Sequence, residues 1–213
     1  MFQLAKAGQD PEIANMTDLK TETDGQLDGR RQRSERNRQK IIAAMFDLVR
    51  AGDMEPSAVR VAEHAQVGLR TVFRHFEDLD SIYREMAEQM EARILPQIAK
   101  PLKAEDWQGR IKELMRRRIR VFEEIMPLRI SASLRRYRSE FLMEGHLRFT
   151  ERERDIIAGV LPDEVSSDPV LLSAFDSVLS FATWRRLRQD QSLSRARASR
   201  VVETMLDALV ASI

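Results

Sequence analysis

The chain has 213 residues, 43% of them apolar and 32% charged, with only 8 Gly and 7 Pro, which favours long solvated helices over a turn-rich β protein. It contains no Cys, so disulfides, thiolate zinc sites and a cysteine nucleophile are excluded and a reducing, cytoplasmic setting is expected. No apolar run approaches the roughly 18 to 20 residues that span a bilayer, and the N-terminus lacks the apolar core of a signal peptide; a soluble protein with no membrane partner is expected. The net charge of +1 hides an uneven distribution, acidic up to Gly29 and basic from Arg30 to Phe76.

Residues 1–33 show no sustained period and read as a flexible N-terminal tail. From Ser34 a helical pattern places Ile41, Ala44, Met45, Leu48 and Val49 on one face and ends at "AGD". Ser57, after Pro56, caps a second helix that turns Val61, Ala62 and Ala65 inward. Gly68 opens a third, short helix through Phe76, and Asp78 caps a longer fourth one that is disturbed at Pro96. Beyond Pro101 come amphipathic segments over 105–125, 128–137 and 140–160, the first interrupted at Pro127. The turn "LPDEVSSDP" then leads, through the cap-plus-proline pair Asp168 and Pro169, to a very apolar helix to about Gln189. A last helix begins at Ser194. The fold class is all-α: a three-helix helix-turn-helix domain over 34–78, then a helical bundle over 79–213.

The stretch VAEHAQVGLRTVFRHFEDLD carries the functional signal. Two short helices joined by a tight turn hold the second steeply against the first, so that its N-terminal half can enter a DNA major groove. Val72 and Phe76 pack inward against Val61 and Ala65, which leaves Leu69, Arg70, Thr71 and Phe73 outward. A guanidinium can bond guanine bidentately, and a Thr methyl or an aromatic edge can touch a thymine methyl. Arg74 and His75 face phosphates, and Ser57 and Gly68, at the starts of the two helices, complete the expected DNA-binding set. The run "GRRQRSERNRQK" is either an arm for the minor groove or a source of general phosphate attraction.

From Ala62 to Leu79 the chain resembles the tetracycline-repressor (TetR) family of bacterial transcription regulators, whose signature is close to A-x-x-A-G-V-S-x-x-T-x-Y-x-H-F-x-x-K. Ala62, Ala65, Val67, Thr71, His75 and Phe76 match, and Phe73 stands for the Tyr. Gln66 replaces the turn glycine, Gly68 the capping Ser, and Leu79 a Lys that contacts a phosphate in the family. The resemblance implies a homodimer joined by the last two helices, binding double-stranded DNA at a palindromic operator and responding to a small-molecule effector, usually as a repressor. The excess apolar surface of those helices, with Val178 and Leu206 among its residues, agrees. The alternative is a helical protein-interaction adaptor that has lost specific DNA binding, for which Gln66 and Leu79 speak.

Within the bundle, Arg118 falls on an apolar stripe between Leu114 and Val121, where it must snorkel, pair, or meet an anionic ligand. With Tyr137 and His146 it forms the candidate effector lining. Trp107 and Trp184 read as packing. The three His residues have no metal-ligand spacing and no catalytic neighbours, so no metal, no cofactor and no enzyme activity are expected.

Overall fold

The computed structural model describes the backbone of residues 11–213 and the side chains from Arg30 onward. Its regular structure is helical throughout, with no strand among the described residues. Helix α1 spans Pro11–Arg50, and the N-terminal domain continues with α2 (Ala58–His64) and α3 (Leu69–His75). The chain then enters α4 (Leu79–Ile98), α5 (Trp107–Arg135), α6 (Glu140–Ala158) and the short α7 (Asp163–Ser166). Helices α8 (Pro169–Leu179), α9 (Phe181–Arg185) and α10 (Arg195–Ala211) close the bundle.

The expected first helix begins too late. The tail expected over 1–33 is helical from Pro11, with Pro at the first helical position, where its missing N–H costs nothing; residues 1–10 lie outside the described residues. Once Ile41, Ile42 and Met45 are fixed in the core, extending the helix toward the N-terminus adds a bond per residue without a new nucleation cost.

Side-chain caps explain several of the other helix starts. The Ser57 side chain accepts from the Arg60 N–H at 3.3 Å, Asp106 from Gly109 at 2.5 Å, and Asp168 from Val170 and Leu171 at 2.7 and 3.1 Å. Asp78 accepts from the Ser81 N–H at 2.8 Å, and the Ser81 hydroxyl answers the Asp78 N–H at 3.3 Å, a reciprocal pair that fixes the first turn of α4.

Three expectations about breaks are corrected. Helix α5 runs straight through Pro127, so the separate segments 105–125 and 128–137 are one helix ending in a 3₁₀ turn at Arg136–Arg138. The proline forfeits a bond to the Glu123 carbonyl, up to about 3 kcal/mol. Ile125, Met126 and Leu128 around it are buried at about 1.5–3 kcal/mol each, so continuity wins. Pro96 likewise sits inside α4, near its end. The apolar helix expected from Asp168 to Gln189 instead breaks at Ser180, whose φ of −77° and ψ of 155° are extended. Its hydroxyl caps α9, which passes into a π turn at Arg186–Asp190. Glu123 secures that turn, accepting from Trp184 Nε1 at 3.0 Å and from Arg188 at 2.7 and 3.2 Å.

One buried core runs the length of the molecule. Ile41, Met45, Val61, Val72 and Phe76 of the N-terminal domain join Ile82, Tyr83 and Met86 of α4, and through them Ile111, Leu114, Phe122 and Trp184 of the bundle. Helix α5 lies at the centre, packed on α1, α4, α6, α9 and α10.

Candidate nucleic-acid interface

Helix α3 is short because each end is set by its own residues. Gly68 at its start is extended, and Phe76 at its end leaves the helical region at φ −135° while its ring stays in the core. The turn before it needs a left-handed residue, and Gln66 takes that role with φ +55°. The Val67 N–H bonds the Ala62 carbonyl at 3.0 Å and closes the turn. A side chain bearing Cβ costs about 1–2 kcal/mol in that region.

Val72 and Phe76 are buried, as are Val61, Ala62 and Ala65, so α3 is held by one face. Its other face is open: Leu69 is 39% and Phe73 52% exposed, Arg70 and Arg74 are exposed, and Thr71 is half-buried. Leu69 and Phe73 are four apart, as are Arg70 and Arg74, giving an apolar pair beside a cationic pair on one short helix. Ser57 and Gly68 lie exposed at the starts of α2 and α3.

His75 differs from its neighbours. It is half-buried, with Nε2 shut off from solvent and lacking a hydrogen-bond partner. Burial, then Arg74 and Arg38, hold its pKa below the ordinary histidine value, against a smaller opposing pull from Glu35. A lowered pKa favours the neutral ring, which has one N–H to donate, so any contact with the phosphate expected from sequence would be a hydrogen bond.

Arg38 is the residue that sequence reasoning passed over. Its guanidinium donates to the His75 carbonyl at 2.8 Å, pairs with Glu85 of α4, and stacks over the Phe76 ring at 4.5 Å. One side chain on α1 thereby fixes the end of α3 against α4. Its only signal in the sequence was membership of a basic run. That run forms part of α1 and not a separate arm: Arg30, Arg31, Arg33 and Arg36 are exposed, and Arg30 lies about 12 Å along the axis from Arg38.

The start of α4 is less hospitable to phosphate than the signature implies. Leu79 is half-buried against the core, Glu77 and Asp78 are exposed carboxylates, and Asp80 is paired with Arg135 at 3.1 Å.

The arrangement of these helices over most of the chain has a counterpart among solved structures. A TetR-like transcriptional regulator from Rhodococcus sp. RHA1 superposes with a TM-score of 0.62 over 83% of this chain and 97% of its own, at 11% sequence identity. The fold is TetR-like. No protein-family model matches the sequence, and a search of curated proteins finds no match either.

In the bundle of this TetR-like fold, the expected effector residues separate. Arg118 is buried; one Nη donates to the Leu179 carbonyl at 3.1 Å and the other to the Glu153 carbonyl. Leu179 is the last residue of α8, and the break at Ser180 leaves its carbonyl without a helical partner, so Arg118 mends the break. The cavity beside it holds about 10 Å³, room for a single water molecule. Arg118 is therefore a structural residue here. Tyr137 is 74% exposed in the 3₁₀ turn, its hydroxyl accepting from Arg136 at 2.8 Å, and it lines no interior. His146 alone stands in a polar cluster, facing Arg129 and Arg136.

No helix among the described residues is long and apolar enough to cross a membrane, and no three potential metal ligands converge among them.

Proposed function

We propose that the protein is a DNA-binding transcription regulator that acts as a homodimer on a palindromic operator, probed by α3, and that a small-molecule effector bound in the helical bundle releases it as a repressor. The observation that carries this reading is the open face of α3, where Leu69, Arg70, Phe73 and Arg74 project from a helix otherwise locked into the core by Val72 and Phe76. A corner built only for packing has no use for two large apolar side chains and two guanidiniums on its solvent face. The TetR-like fold and the exposed arginines of α1 add to it.

The dimer surface suits the outer face of α8 and α10. Val170 is 74% exposed and Met205 39%, and Val201 and Leu209 are half-buried beside Met205. A groove of about 430 Å³ runs along α10 between Leu193, Val201 and Met205, edged by Arg197 and Arg200. The sequence-based choice of Leu206 as an interface position is corrected, because that side chain is wholly buried within one chain; Val178 is half-buried.

Effector action follows linkage: operator affinity falls by no more than the ligand's preference for the conformation whose recognition helices no longer match successive major grooves. The adaptor reading draws support from the inward Leu79 and the carboxylates beside it. Selection of bound duplexes from a random DNA library, followed by mobility shift of the winner at two salt concentrations, separates the two. Recovery of a palindrome with salt-dependent affinity supports the regulator; failure to enrich any sequence, with no binding at low salt, supports the adaptor.

A further inference from the structure

Near the end of α5, Arg129 Nη2 lies 3.4 Å from His146 Nδ1, and Arg136 Nη1 lies 3.4 Å from Nδ1 and 3.1 Å from Nε2 of the same ring. Two guanidiniums thus crowd one imidazole. Elsewhere in the bundle, arginines find carboxylates: Arg93 with Glu124, Arg117 with Glu113, Arg152 with Glu91, Arg188 with Glu123. Neither Arg129 nor Arg136 has a carboxylate within ion-pair distance among the described residues, and Arg136 Nε is buried with no hydrogen-bond partner. The nearest opposing charge, on Glu153, faces Arg118 as well as Arg129, and burial pushes that carboxyl up to about 7. The cluster therefore holds more positive charge than its own residues neutralise, in a setting where burial already pulls Arg129 down to about 10.

We propose that Arg129, Arg136 and His146 bind the oxyanion of a small ligand, a carboxylate or a phosphate. The planar forks of two arginines match such a group, and the imidazole, neutral while it accepts from them, gains a proton and donates once the anion neutralises their field. All three side chains are half-buried, so an anion reaches them from solvent without the bundle opening. Phe149, 3.8 Å beneath the Arg129 guanidinium, holds its plane. The site lies on the stretch of α5 that meets the N-terminal domain, where Ser131 donates to the Met54 carbonyl at 2.7 Å and Arg135 pairs with Asp80 in the first turn of α4. It deepens the effector reading given above and rests on it only for its use in regulation.

The test is a titration of the DNA-free protein, followed by NMR of the labelled His146 ring, with benzoate and inorganic phosphate as separate probes. Its outcome is thereby independent of whether the protein binds DNA. The expected result is a saturable shift with a raised His146 pKa. Benzoate alone acting assigns a carboxylate ligand, phosphate alone a phosphate ligand, and both the shared oxyanion. Arg136→Gln should weaken binding about tenfold, whereas Arg148→Gln, in an exposed pair with Glu144 on the same helix, should not. The proposal is overturned if neither probe moves the wild-type ring at millimolar concentration, a result that needs no variant to fold, or if a folded Arg136→Gln protein binds as the wild type does.

Discussion

Glu153 makes stability depend on pH in a direction opposite to the usual carboxylate. It is buried, one oxygen has no hydrogen-bond partner, and desolvation outweighs the attraction of Arg118 and Arg129, so its pKa rises from 4.5 to about 7. Between those values the folded chain holds a proton that the unfolded chain has released. Its contribution to stability is therefore full below about pH 4.5, falls as pH rises toward 7, and levels off above it. At 1.36 kcal/mol per pH unit the loss is about 3 kcal/mol. Glu153→Gln keeps the shape of the protonated acid and cannot ionise. Urea unfolding at pH 5 should find variant and wild type within about 1 kcal/mol of each other, and at pH 8 the variant more stable by about 3 kcal/mol. Parallel stability profiles for the two proteins would refute the reasoning, since the pH dependence would then belong to other groups.

Gln66→Gly should stabilise the protein by about 0.5–1 kcal/mol, read as a higher midpoint of thermal unfolding, because relief at φ +55° exceeds the entropy glycine adds to the unfolded chain. Arg70→Ala should cost about 1–3 kcal/mol on the selected operator and relax preference at one position of each half-site; equal losses on every duplex would make Arg70 a phosphate contact. Met205→Asp should sediment as a folded monomer, whereas Leu206→Asp, at a wholly buried position, should fail to fold stably; a folded Met205→Asp dimer would move the interface elsewhere.

The N-terminal helices are legible in the sequence because their signals are local. Ser57, Gly68 and Asp78 mark helix starts by chemistry that acts within three residues, and the spacing of Val72 and Phe76 gives the buried face directly. Pro127 misled because its local cost is set against neighbours whose burial depends on helices far along the chain. The break at Ser180 has no Gly or Pro beside it, and Arg118, its remedy, comes from 61 residues away. The cluster at His146 is half visible for the same reason: the histidine stands out in the sequence, but its partners Arg129 and Arg136 face it only once α5 and α6 pack together in the bundle.

Ser131 has a single hydroxyl proton, and the bond to the Met54 carbonyl uses it, so at the 2.6 Å contact with Tyr83 the phenol is the donor. The loop between α1 and α2 thus contributes an acceptor that belongs to the main chain. Substituting Met54 leaves that carbonyl in place, while Ser131→Ala removes both bonds at once. Mutational tolerance at this junction is accordingly lopsided: any side chain at Met54 keeps the main-chain acceptor, whereas α5 must keep one small hydroxyl at Ser131 to reach it.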